Sequence, residues 1–96
     1  MVVTWSKKAQ FELRKAYDYI FQDSPKNALK VTTEIVNTTL ELPKHPEKFP
    51  PDKYKKSNDG SWRAFEQYHY RISYRIVKDQ IRIVRMRHTS RSPLKY

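Results

Sequence analysis

Residues 70–77 constrain the fold of this chain most strongly, because apolar and polar side chains alternate from Tyr70 to Ile76. Successive side chains of a β-strand point to opposite faces, so the pattern predicts a strand with one packed and one polar face. The packed face carries Tyr70, Ile72, Tyr74 and Ile76, and the polar face carries Arg71, Ser73 and Arg75. The rest of the chain must therefore supply a layer that covers the first face, and we expect the other face to be free.

Three further segments are typical of strands. Residues 62–65 follow the turn signal Asn58-Asp59-Gly60, and residues 81–87 alternate apolar side chains with arginine. Residues 78–80 predict a hairpin connection between the last two strands, and residues 2–5 predict a short strand at the start of the chain. The irregular stretch from residue 43 to residue 60 is rich in proline and lysine, and long loops of this kind often carry function.

Two helices are predicted between the first strand and this loop. Ser6 is a suitable N-cap, and an apolar stripe follows it at three- and four-residue steps, at Ala9, Leu13, Ala16, Tyr17, Ile20 and Phe21. Ser24 and Pro25 suit the N-cap and first position of a second helix, which ends before Pro43. The expected fold is a single α+β domain over residues 1–96, in the order β-α-α-β-β-β, with a helical hairpin packed on a small antiparallel sheet.

The distribution of charge limits the function classes. The net charge is +10, and residues 51–96 hold 12 Lys and Arg against 4 Asp and Glu, whereas residues 1–50 hold 8 against 6. This asymmetry indicates a surface for phosphates or for an acidic protein, although a solvated, solubilising surface is the ordinary alternative. The chain has no cysteine and one glycine, and its histidines at positions 45, 69 and 88 lack metal-ligand spacing. We therefore expect no metal, no cofactor and no membrane association, and we expect a cytoplasmic location.

The polar face of the sheet is the candidate site. We expect Arg71 and Arg91 to approach each other there, and the remaining nucleic-acid-binding candidates are Lys53, Lys55, Lys56, Arg75 and Arg87. Tyr68, Tyr70 and Tyr96 offer rings for base stacking. Arginines can stabilise the charge that develops when a ribose hydroxyl attacks the adjacent phosphate, without a metal. The candidates for proton transfer are His88, Glu47, Tyr96 and a loop lysine, although His88 and Glu47 are more typical of ordinary surface residues.

Two segments resemble a known family. The strand Tyr70-Arg71-Ile72-Ser73-Tyr74-Arg75-Ile76 looks like the YRxxYRV strand of RelE/ParE toxins, and the segment from Ile83 to Pro93 resembles their terminal IxxVRHxxR strand and tail. The opening Thr4-Trp5-Ser6 before a helical hairpin is also similar. The resemblance extends over nearly the whole chain, and it implies a RelE-like fold and a cognate acidic antitoxin.

The resemblance implies two alternative activities. RelE-like and YoeB-like toxins cut mRNA on the ribosome, whereas ParE-like toxins poison DNA gyrase. In the nuclease branch Arg71, Arg91 and Tyr96 match catalytic positions, and Glu47 and His88 lie near a carboxylate base and a terminal histidine. The chain would then be a metal-independent mRNA endoribonuclease with the ribosome and mRNA as partners. The string from Arg87 to Arg91 looks more like ParE and supports the gyrase poison as the alternative. Because the cationic and aromatic groups that cleavage needs are present, we expect the mRNA endonuclease. A non-toxin nucleic-acid-binding domain is a third hypothesis.

Overall fold

The computed structural model describes residues 1–96 and contains four strands and two helices. The elements in chain order are β1 (Val2–Trp5), α1 (Lys7–Phe21), α2 (Pro25–Glu41), β2 (Trp62–Gln67), β3 (Tyr70–Val77) and β4 (Gln80–His88). A single 3₁₀ turn, Leu42–Lys44, follows α2. The predicted order of elements and the α+β class are therefore confirmed.

Both helices begin at the serines that the sequence indicates. The Ser6 hydroxyl accepts a hydrogen bond from the backbone N–H of Ala9, and the Ser24 hydroxyl accepts one from Asn27. Each bond satisfies a backbone donor that the first helical turn leaves without a partner. Pro25 occupies the first turn of α2, where its missing N–H is not needed. These caps fix where the helical hairpin starts and turns.

The sheet is mixed, with the strand order β1-β4-β3-β2. The β2–β3 and β3–β4 pairs are antiparallel as predicted, but β1 pairs with β4 in parallel, so the expectation of a wholly antiparallel sheet is wrong for this edge. A parallel pair needs a long connection, and the helical hairpin, the loop and two strands provide it. A bulge in β4 shifts the pairing between Ser73 and Tyr74 by one residue.

The hydrophobic core lies between the helical hairpin and one face of the sheet. Tyr70, Ile72 and Tyr74 of β3 are buried there, as the alternation predicts, and Ile76 is half-buried at the end of the strand. The helices contribute Ala9, Ala16 and Ile35, whose small or branched side chains let them lie close to the sheet. Neither helix combines the length and the apolar character that crossing a lipid bilayer demands.

The Glu12 carboxylate connects α1 to the part of β4 that extends past the end of β1. Glu12 accepts hydrogen bonds from the Arg85 guanidinium at 3.0–3.3 Å and from the backbone N–H of Met86 at 3.0 Å. Ser6 donates to the backbone oxygen of Val84 on the same strand edge. Backbone groups on this open edge of β4 thus find their hydrogen-bond partners in the side chains of Ser6 and Glu12 and not in another strand.

We expect Glu12→Ala to lower the free energy of unfolding by about 2–3 kcal/mol, because it leaves a partly buried guanidinium and a backbone donor without their acceptor. Urea unfolding followed by circular dichroism measures the change. Glu41→Ala is the matched control, since Glu41 pairs with Lys44 on the exposed surface, and it should cost under about 1 kcal/mol. Equal losses in both variants would show that Glu12 does not fasten the helix.

Candidate functional site

The face of the sheet opposite the helices is partly covered, which corrects the expectation of a free face. The loop from residue 52 to residue 56 and the tail fold back over it, and they pair through the backbone bonds Tyr96 N–H to Tyr54 O and Lys56 N–H to Tyr96 O. Ser73, expected on the open polar face, is buried. The tail and the loop are held together by backbone groups. The alternation of side chains in the strands does not predict such contacts.

Asp52 is the centre of this covered region, and its side chain is only 1% exposed. One carboxylate oxygen accepts from the Arg71 guanidinium at 2.9 Å and from the Tyr54 N–H at 3.1 Å, and the other accepts from the Tyr96 hydroxyl at 2.6 Å. Burial acts to raise the pKa of Asp52, but the hydrogen bonds from Tyr96, Arg71 and Tyr54 outweigh it and hold the pKa below its usual value. Asp52 is therefore a charged carboxylate at neutral pH.

Arg71 is held on three sides. Its guanidinium pairs with Asp52, lies 3.3 Å from Glu66 and stacks 4.8 Å from the centre of the Tyr54 ring. A buried carboxylate needs such a partner, because an uncompensated charge in the interior is costly. The guanidinium donors that face Asp52 and Glu66 are therefore already occupied.

A cleft of about 80 Å³ opens beside this pair, between the polar face and the tail. This is far below the roughly 300–1,000 Å³ of small-molecule pockets. Four arginines line it, namely Arg71, Arg85, Arg87 and Arg91. Arg71 and Arg85 are paired with carboxylates, whereas Arg87 donates only to the backbone oxygen of Ser92 and Arg91 makes no side-chain bond. The unpaired positive charge of the cleft thus lies at its tail end.

The two predicted proton-transfer residues that line the cleft, Tyr96 and His88, are both committed. Burial and the hydrogen bond to Asp52 raise the pKa of Tyr96, so its phenol stays protonated at neutral pH. Nδ1 of His88 accepts the backbone N–H of Ser90 at 3.0 Å, which places the proton of a neutral ring on Nε2. Neither group then offers a free basic atom to a substrate.

The structure brings together only part of the predicted site. Arg71, Arg87, His88, Arg91 and Tyr96 all line the cleft. Glu47 lies in a different groove, beside Lys44 and Lys48, and Arg75 stacks on Trp62. The loop lysines do not line the cleft: Lys53 lies over Tyr54, Lys55 lies over Trp62 and Tyr96, and Lys56 is exposed. Tyr70 is buried in the core, so its ring is not available for base stacking.

Three charged residues of the cleft, Asp52, Glu66 and Arg85, were not among the sequence candidates. Asp52 is the only acidic residue between Lys48 and Lys56, and an isolated carboxylate in a basic loop is a signal that could have singled it out. Arg85 belongs to the alternating arginines of the last strand, but the bulge in β4 decides where it points. Sequence alternation alone does not reveal a bulge.

We expect Asp52→Asn to lower the free energy of unfolding at pH 7 by about 2–3 kcal/mol, because Arg71 loses its main partner. The folded protein holds the pKa of Asp52 below the value of 3.8 of an unperturbed carboxyl. The contribution of the carboxylate is therefore complete above that value and is lost as the pH falls through the lower, folded-state pKa. Urea unfolding of both proteins between pH 7 and pH 2.5 should show the gap between them closing in acid.

Asp79→Asn is the control for this experiment, because Asp79 is exposed in a hairpin turn. It should change the free energy of unfolding by less than about 0.5 kcal/mol at every pH. A gap between the wild-type protein and Asp52→Asn that keeps its size in acid would contradict a role for the charge of Asp52.

Similar folds occur in three solved structures. The chromosomal ParDE TA system from P. aeruginosa has a chain with a TM-score of 0.71 and 24% identity, covering 92% of this chain and 95% of that one. The YoeB/ParE toxin from Agrobacterium tumefaciens has a TM-score of 0.56 and 13% identity, covering 92% and 98%. The YoeB dimer from Staphylococcus aureus has a TM-score of 0.54 and 21% identity, covering 92% and 95%. At these identities the likeness establishes the fold alone.

The sequence itself matches a protein family. Residues 3–93 match the family described as the ParE toxin of the type II toxin-antitoxin system, parDE. A comparison with curated protein sequences found no match. The family match extends over nearly the whole chain, and membership implies a cognate antitoxin as partner. The chain therefore belongs to the ParE toxin family of type II toxin–antitoxin systems.

Proposed function

We propose that this toxin arrests growth by poisoning DNA gyrase and that it does not cut mRNA. Gyrase poisoning is the activity that the resemblance to ParE-like toxins implies. The observation that carries the choice is the state of Arg71, whose guanidinium pairs with the buried Asp52. A group that already neutralises a fixed carboxylate is not free to neutralise a reacting phosphate.

The charge of the cleft supports this proposal. Stabilising a phosphoryl transition state requires donors aimed at the place where negative charge develops. In this cleft Asp52 and Glu66 hold Arg71, and Glu12 holds Arg85. A phosphate brought next to Arg71 would also meet the negative charge of Asp52 and Glu66, which opposes its approach.

Proton transfer gives a second line of support. Cleavage by the ribose hydroxyl requires a base within hydrogen-bond reach. The Tyr96 phenol is protonated and donates to Asp52, and Nδ1 of His88 is occupied by Ser90. The Glu66 carboxylate also lines the cleft, and it pairs with Arg71. Glu47 lines a separate groove and not the cleft. A toxin that acts by binding a target protein needs none of these transfers.

The mRNA endonuclease is the second candidate, and one observation favours it. Arg71, His88, Arg91 and Tyr96, which the resemblance to the nuclease branch selects, line the same cleft. Catalysis there would require the Asp52–Arg71 pair to open when the toxin binds the ribosome. Opening it leaves a buried carboxylate without its cation, which costs several kcal/mol.

We expect induction of the toxin to produce DNA breaks while transcripts stay full length, because a gyrase poison traps cleaved DNA and leaves RNA intact. Pulsed-field gels and northern blots from the same cultures measure both. Purified toxin added to gyrase and supercoiled plasmid should yield linear DNA. A ribosome-dependent endoribonuclease toxin is the control for transcript cleavage. Fragmented mRNA with intact chromosomes would refute the proposal, and harmless expression would refute both toxin activities.

Arg71→Lys separates the two candidates, because a lysine keeps the positive charge beside Asp52 and loses the planar fork of donors. We expect growth arrest and plasmid linearisation to stay within about threefold of wild type, since poisoning does not use Arg71. Removing a donor from a phosphoryl transition state should instead reduce cleavage by on the order of 100-fold. Thermal unfolding shows whether the variant is folded.

A further inference from the structure

A row of side chains crosses all four strands on the polar face of the sheet. Its members are successive partners in the pairing of β1 with β4, of β4 with β3 and of β3 with β2, so their side chains lie side by side. They are Thr4, Arg82, Arg75 and Trp62, and we call them the arginine row. None of the four lines the cleft beside Asp52. The arginine row is therefore a separate part of the polar face.

The two arginines of the row face each other without a carboxylate between them. Side chains directly opposite on antiparallel strands begin about 5 Å apart, and like charges in that position repel each other. Arg75 donates only to the Ser61 hydroxyl, at 3.4 Å, and the exposed Arg82 makes no side-chain hydrogen bond or ion pair. The Asp59 carboxylate accepts both donors of Ser61 and pairs with neither arginine. The charge of the row is thus available to an anion from solution.

The other pair of facing arginines on these strands is treated differently by the fold. Arg71 and Arg87 are also direct partners across β3 and β4. There the buried Asp52 pairs with Arg71 at 2.9 Å and balances part of the charge. The arginine row has no such partner, so its positive charge does not serve the stability of this chain.

A third cation lies beside the row, over an aromatic ring that is already occupied. The Lys55 ammonium and the Arg75 guanidinium each lie 4.8 Å from the centre of the Trp62 ring, and the Tyr96 ring meets it edge-on at 5.6 Å. These contacts fix the positions of two cations. They also leave Trp62 without a free face on which a base could stack.

We propose that the arginine row binds the phosphate backbone of a nucleic-acid duplex. Arg75, Arg82 and Lys55 pair with phosphates of the duplex, since guanidinium groups match the geometry of phosphate oxygens and lysine adds a point charge. Single strands are bound largely by stacking on free aromatic rings, which the row lacks. A protein partner would need an apolar centre to its interface, which the row also lacks. Binding should therefore depend strongly on salt and weakly on base sequence.

The test measures the affinity of the whole chain for a fluorescein-labelled DNA duplex of about 20 base pairs, by fluorescence anisotropy at salt concentrations from about 50 to 200 mM. Each phosphate contact that is lost lowers the slope of log affinity against log salt by about 0.9. Arg82→Gln should therefore reduce this slope by about 1. Arg75→Gln/Arg82→Gln should reduce it by about 2 and weaken binding by about tenfold or more at 100 mM salt.

The matched controls remove the same charges from the helical layer on the other side of the sheet. Arg14 and Lys30 are exposed on α1 and α2, and Arg14→Gln and the double variant Arg14→Gln/Lys30→Gln should keep the wild-type slope and stay within about twofold in affinity. Thermal unfolding checks the fold of every variant. Arg82→Gln removes a repulsion and no contact, so it should unfold at or above the wild-type temperature.

The outcomes separate the proposal from its alternatives. Duplex affinity and slope that are unchanged in folded Arg82→Gln and in the folded double variant overturn it, and so do equal losses in the helical controls. Tighter binding of a single strand or of a poly-glutamate peptide, lost in the double variant, overturns it in favour of that partner. A matched RNA duplex shows whether DNA or RNA supplies the phosphates, and a loss with either duplex supports the proposal. Because no gyrase is present, failure to linearise plasmid would refute gyrase poisoning and leave this result standing.

Discussion

The ion pair between Asp52 and Arg71 determines the arrangement of the polar face. A carboxylate that is almost fully buried is tolerated only when cations and hydrogen-bond donors surround it, and Arg71, Tyr54 and Tyr96 supply them. Tyr54 belongs to the loop before β2, Tyr96 to the tail after β4, and Arg71 to β3. One charge therefore ties three distant parts of the chain together, and the cleft exists because these parts meet there.

The four arginines of the cleft form two groups, which differ in whether a carboxylate of this chain pairs with them. Arg71 and Arg85 are neutralised by carboxylates and hold elements together, and their donors are directed inward. Arg87 and Arg91 have no acidic partner and lie at the tail end of the cleft. Structural arginines contribute to the stability of the fold, whereas unpaired arginines attract partners from solution. The two arginines without an acidic partner therefore place part of the surplus positive charge of the chain at the tail end of the cleft.

Much of the fold follows from local sequence, because caps and alternation act within a few residues. Ser6, Ser24 and the alternation of residues 70–77 are sufficient to place the helices and the middle strand. The parallel pairing of β1 and the bulge in β4 depend on contacts between residues far apart in sequence, which no local pattern encodes. For the site, Arg71 and Arg87 were predicted, but Asp52 was not. Its importance arises only when the loop folds over β3 and meets the tail.

Under the proposed function, Asp52 accounts for a cleft that holds nuclease-like residues without serving as a nuclease site. A sheet face with Arg71, Arg91, His88 and Tyr96 around one cleft has the composition of a metal-free nuclease site, and the resemblance to that branch rests on these residues. A nuclease needs a free guanidinium and a free base. The buried carboxylate removes the first by pairing with Arg71, and it removes Tyr96 as a base by accepting its hydroxyl proton in a hydrogen bond. With its inner charges balanced, the cleft adds to the stability of the fold, and the exposed surface is left to recognise the proteins that this toxin meets.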